Sequence, residues 1–139
     1  EPIAMFMDFD ALERLHEIPR QPMSVEIDVF IYPARIGERR TRLRYAYQLL
    51  LVESRSGFVL GSELLVSDPT EKAMYGRIPA TVARLLARAS VLPREVHVRS
   101  SLLFQLLESL ADGLGITLVE TPRLPALDQA RDFVTQRLT

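Results

Sequence analysis

The stretch that most constrains this chain runs from Tyr45 to Asp68 and reads YAYQLLLVESRSGFVLGSELLVSD. Side chains alternate sides along an extended chain, so Tyr45, Tyr47, Leu49 and Leu51 share one face and Ala46, Gln48, Leu50 and Val52 the other. After Ser54-Arg55-Ser56-Gly57 the alternation resumes, with Phe58, Leu60, Leu64 and Val66 set against Val59, Gly61, Glu63 and Leu65. Two such runs joined by a short polar loop ending in glycine predict a β-hairpin. Gly57 suits the left-handed position that closes such a loop, because it has no Cβ to clash. Leu49 to Val52 is apolar on both faces, which predicts a strand inside a sheet covered on both sides.

With 139 residues, 47% of them hydrophobic and 25% charged, the chain suits one domain with a full core. We expect a single domain over residues 1–139, with an N-terminal helix at 8–18 and a core at 25–139. A net charge of -1 argues against a surface that coats nucleic acid or an anionic membrane as a whole. The absence of cysteine excludes disulfides, thiolate catalysis and cysteine-ligated metals. No apolar run is long enough to cross a bilayer and no signal peptide precedes the domain, so the expected location is the cytoplasm. Motifs for P-loop, dinucleotide and H-E-x-x-H metal sites are missing as well, and no cofactor is expected.

The remaining elements follow from local rules. DFDALERLHEI at 8–18 predicts a helix capped by Asp8 or Asp10, with a stripe of Phe9, Leu12 and Leu15, ended by Pro19. Val25 to Tyr32 alternates as a strand that Pro33 should stop. Beyond the hairpin, Thr70 to Gly76 predicts a helical turn, and Pro79 opens a helix with Val82, Leu85, Leu86 and Ala89 inward and Arg84 and Arg88 outward. Glu95 to Arg99 reads as a short strand with Glu95, His97 and Arg99 on one face. Ser100 is a suitable N-cap for a leucine-rich helix over 101–114, which Gly113 and Gly115 can terminate. A last strand over 116–120 precedes a helix opened by Pro125, whose stripe is Leu127, Ala130, Phe133, Val134 and Leu138. The expected fold is α/β: a single five-stranded mixed sheet with helices on both faces. An antiparallel three-strand meander is followed by β-α-β crossovers.

This succession resembles the ribonuclease H-like superfamily, which includes the retroviral integrase and transposase cores. PREVHVRSSLLFQLLESLADGLGITLVETPRLP looks like the integrase stretch of strand, catalytic acid, helix, "GI" strand and proline-bearing loop. LLLVESRSGFVLGSELL likewise resembles the hairpin after the first catalytic strand. The pattern is also similar to a bacterial branch lacking the full catalytic carboxylate set. The resemblance implies that the strand at 95–99 lies parallel beside the strand at 25–32. Active members hold two divalent metals with a carboxylate cluster, since Mg²⁺ requires hard oxygen ligands. Carried over, the first-strand acid falls at Asp28, with Glu26 two residues before it, and the final-helix acid at Asp128 or Asp132. The acid after the fourth strand falls at Arg99-Ser100, where there is none.

The weak catalytic candidates are therefore Asp28, Glu53 and Asp128, and no metal site is expected. Asp28 also reads as a strand-face residue paired to a basic neighbour, and Asp128 as first-turn compensation of a helix dipole. The expected function is a non-catalytic interaction module that binds a protein partner or itself. The alternatives are a metal-dependent nuclease with an altered carboxylate site, or a weak nucleic-acid binder. The last would use Arg35, Arg39, Arg40, Arg42 and Arg44, which face the single acid Glu38 within ten residues. Should that loop be an interaction surface, replacing Arg39, Arg40 and Arg42 by serine will leave the melting temperature nearly unchanged and weaken partner binding. Marked destabilisation of the triple variant would instead assign the arginines to the fold's own ion pairs.

Overall fold

Ten elements follow one another along the chain. They are α1 (Phe9–His16), β1 (Gln21–Ile36), β2 (Arg44–Glu53), β3 (Val59–Val66), α2 (Glu71–Gly76), α3 (Ile78–Ala89), β4 (Pro93–Val98), α4 (Ser101–Leu114), β5 (Thr117–Glu120) and α5 (Pro125–Gln136). The computed structural model describes residues 3–36 and 44–136. Arg39, Arg40 and Arg42 lie outside the described residues, as does Leu138. Arg35 and Arg44 fall within the paired ends of β1 and β2.

The five strands form one mixed sheet in the order β3-β2-β1-β4-β5. β2 is antiparallel to both β1 and β3, with Val29 opposite Leu49 and Gln48 opposite Leu64. β4 lies parallel beside β1, with Val25 opposite Val96, and β5 parallel beside β4. The neighbour relation expected between the first and fourth strands is therefore met. The hairpin is closed as its loop sequence predicts: Gly57 has φ +75° and donates its N–H to Glu53 O at 2.9 Å.

β1 is longer than its alternation suggests. It begins at Gln21 and passes through Pro33, which does not stop it. Pro33 lies where the β1–β2 register shifts, between the pairs Ile31–Tyr47 and Arg35–Tyr45. Extra residues on β1 at that irregularity leave room for one that has no N–H to give to a ladder.

Helices cover the two faces unequally. Val25, Ile27, Leu49, Leu51, Val96 and Val98 face the main core, shared with α1, α3 and α4. Leu103, Leu106, Leu107, Leu110 and Leu114 of α4 are all buried there, and full burial is worth about 1.5–3 kcal/mol for each leucine. The caps of these helices are local. Asp8 Oδ1 accepts from Ala11 N at 3.0 Å, Ser100 Oγ from Leu103 N at 3.2 Å, and Gly115 closes α4 at φ +69°.

The other face carries a smaller cluster of Phe30, Leu50 and Val52 under Leu124, Ala126 and Leu127. Two expected stripes need correction. In α1, Phe9 is exposed and Ala11 takes the buried position beside Leu15. In α5, burial is concentrated in the first turn, where the helix packs against β1 and β2, and Phe133 is 58% exposed. Leu127→Ala is accordingly expected to cost about 2–5 kcal/mol. Phe133→Ser should change stability by no more than about 0.5 kcal/mol. Urea unfolding of the two variants measures both.

Candidate functional site

The polar residues of the sheet collect on the α5 face, where β1 and β4 run side by side. Directly opposed residues share a face, and Ser24 pairs with Glu95 and Glu26 with His97. Asp28 therefore follows Glu26 on that face, while Arg99 follows His97 just beyond the end of β4. The buried polar or charged side chains include Glu26, Asp28 and Gln48, all on this side of the sheet.

Arg99 is the centre of the arrangement. Its Nη2 donates to Asp28 Oδ2 at 2.8 Å and to Asp128 Oδ1 at 2.9 Å, and its Nη1 donates to Asp128 Oδ2 at 3.0 Å. The planar guanidinium fork thus holds Asp128 in two-point fashion and Asp28 with a shared nitrogen, a geometry a lysine could not match. The hydrogen bond to Asp128, followed by that to Asp28, holds the guanidinium even more firmly protonated than usual. Arg99 in turn holds the Asp128 carboxyl below its ordinary value, mainly through the hydrogen bond and against a smaller opposing effect of burial.

Glu26 does a different job. α5 begins at Pro125 after Leu124, and leucine cannot cap a helix with its side chain. Glu26 Oε1 supplies the missing acceptor from the sheet, taking the Leu127 N–H at 2.9 Å. A carboxylate there also complements the positive end of the helix dipole. Arg131, one turn further along, stacks 4.4 Å over the Phe30 ring.

The sequence candidates separate accordingly. Asp28 and Asp128 converge, but around a cation that the chain itself provides. Glu53 does not join them: it pairs with Val25, on the opposite face and three residues along from Asp28, which is about 10 Å of strand. Its Oε1 accepts from Ser56 in the hairpin loop. His97 Nε2 lies 2.9 Å from Glu95 Oε1, and this hydrogen bond is the main cause holding the Glu95 carboxyl below its ordinary range. Among the described residues, no group of three or more His, Asp or Glu side chains is placed to hold a metal ion.

Beside Asp28 a cleft of about 200 Å³ opens toward Phe30, Tyr47, Tyr75, Ser100 and Leu103. Tyr47 Oη donates to Glu71 Oε1 at 2.5 Å. Burial, and secondarily the Glu71 carboxylate, push the Tyr75 phenol upward. The triad itself was partly legible, since Asp28 carried the signal of a strand acid in need of a basic neighbour. The capping role of Glu26 had only an indirect signal, the absence of Ser, Thr, Asp or Asn before Pro125.

The family described as Domain of unknown function (DUF6930) matches residues 11–135, and the chain belongs to that family. No curated protein matches it. Among the described residues, no helix is long and apolar enough to cross a membrane.

The Arg99–Asp128 contact has a pH signature. The folded-state pKa of Asp128 is depressed below its ordinary 3.8, so its contribution is complete well above pH 3.8. That contribution falls as pH drops through 3.8 toward the lower folded value. Asp128→Asn should remove this acid-side dependence. Urea midpoints measured across the acid range for wild type and variant will differ above the transition and converge below it.

Proposed function

We propose that this domain is a ribonuclease H-like scaffold that does not catalyse and serves as an interaction module. One observation carries the reading: Arg99 lies between Asp28 and Asp128, at the position where the resemblance calls for an acid. A two-metal site needs carboxylate oxygens free for hard cations and a net negative pocket to offset their charge. Here three hydrogen bonds from one guanidinium occupy oxygens of both carboxylates, and its positive charge repels a divalent ion. The strand order β3-β2-β1-β4-β5, with β4 parallel to β1, supports the superfamily reading. An altered metal site built from Asp28, Glu53 and Asp128 is disfavoured, since Glu53 faces the other side of the sheet.

The reading is tested by incubating the protein with Mg²⁺ or Mn²⁺ and single-stranded, double-stranded and hybrid nucleic acids. All substrates should remain intact. Cleavage by the wild type that disappears in Asp28→Asn would overturn it.

A further inference from the structure

A second cleft lies at the opposite end of the sheet from Arg99, where β1 and β4 begin and the β2–β3 hairpin turns. Its volume is about 320 Å³, at the lower end of small-molecule pockets. The lining includes Ser24, Glu53, Ser54, Arg55, Arg94 and Glu95. These side chains come from segments far apart in sequence, and backbone pairing fixes their positions. Ser54 N donates to Ser24 O at 3.0 Å and Gly57 N to Glu53 O at 2.9 Å, while Ser24 is paired with Glu95 across the β1–β4 register.

The charges around this cleft are unequally employed. Glu53 Oε1 accepts from Ser56, and Glu95 Oε1 lies 2.9 Å from His97 Nε2 and 3.5 Å from Ser24 Oγ. Arg55 and Arg94 are exposed and make no hydrogen bond or ion pair among the described residues. Arg94 reaches Glu95 only as a charge at a distance. Ser54 Oγ is buried and has no partner among the described residues. With no hydrogen bond to hold it, that hydroxyl can exchange its staggered rotamer for one that faces the cleft. A buried unpaired hydroxyl is costly, and an acceptor placed in the cleft relieves that cost.

We propose that this cleft binds a small phosphate monoester that also carries hydroxyl groups, as a sugar phosphate does. A phosphate monoester brings a charge of about −1.5 to −2 and three acceptor oxygens, which two unpaired guanidiniums and a serine hydroxyl can match. The carboxylates select the rest of the ligand. Carboxylate oxygens only accept, so Glu53 and Glu95 can receive sugar hydroxyls while repelling a second phosphate nearby. That repulsion favours an isolated phosphate over the continuous phosphate backbone of nucleic acid. The cleft lies apart from the Arg99 triad, and its assignment does not rest on the reading of the domain as an interaction module.

Isothermal titration calorimetry with ribose phosphate, ribose and inorganic phosphate tests the assignment in wild type, Arg55→Gln, Arg94→Gln and Ser54→Ala. Ribose phosphate should bind the wild type saturably, inorganic phosphate at least about tenfold more weakly, and ribose not at all. Each arginine variant should weaken ribose phosphate binding about tenfold or more at an unchanged melting temperature, since both side chains are exposed. Ser54→Ala should weaken binding without lowering the melting temperature, which loss of a structural hydrogen bond would not allow. Amide chemical shifts at 53–55 and 94–95 should move on titration. No saturable binding of ribose phosphate at millimolar concentration overturns the proposal. So does binding indifferent to both arginines, or equal affinity for inorganic phosphate, which marks an adventitious ion only. Displacement of ribose phosphate by single-stranded RNA at equal phosphate concentration overturns it as well. These outcomes are independent of the cleavage test, which bears on Asp28, Arg99 and Asp128.

Discussion

Two carboxylates buried under one helix govern how this domain is put together. Glu26 and Asp28 stand two residues apart on β1, and they are only 3% and 8% exposed. Burying an unpaired carboxylate costs several kcal/mol, so each must find a donor or a cation in the same enclosed space. Glu26 takes the Leu127 N–H, and Asp28 takes Arg99, which also grips Asp128. Both solutions engage the first turn of α5. The polar pairing therefore sets where α5 starts and how it lies, while the small cluster of Phe30, Leu50, Val52, Leu124, Ala126 and Leu127 supplies the apolar contact beneath it.

The two faces of the sheet thus divide the work. The α1, α3 and α4 side is a leucine-rich core whose stabilisation is non-directional and tolerant of modest repacking. The α5 side is small and partly polar, and its contacts depend on direction. That asymmetry bears on chemistry. On the α5 face the carboxylates of Asp28 and Asp128 both accept hydrogen bonds from the Arg99 guanidinium.

Legibility in the sequence tracks the range of the interaction. The hairpin at Gly57, the caps at Asp8 and Ser100 and the close of α4 at Gly115 could all be read, because each depends on residues three or four positions apart. The strand order carried more uncertainty in principle, yet short links and helical crossovers leave few arrangements. Pro33 was misread because a proline ends a strand only where its N–H is needed, and the register irregularity after Ile31 removes that need. Phe133 was misread for a related reason: helical spacing shows which side of a helix is apolar, but not how far the sheet extends beneath it.

By itself, the sequence determined the elements, their order and the two apolar faces of the central hairpin strand, since these rest on periodicity and local backbone sterics. Only the tertiary structure decided what the charged residues do. Asp28 and Arg99 are 71 positions apart, Arg99 and Asp128 are 29 apart, and Glu26 is 101 positions from the N–H it caps. Such partners meet because β4 is laid parallel beside β1 and α5 is returned across β1 and β2, an outcome of packing the whole chain. A carboxylate in a sequence is a demand for a donor, and the fold chooses which donor answers it.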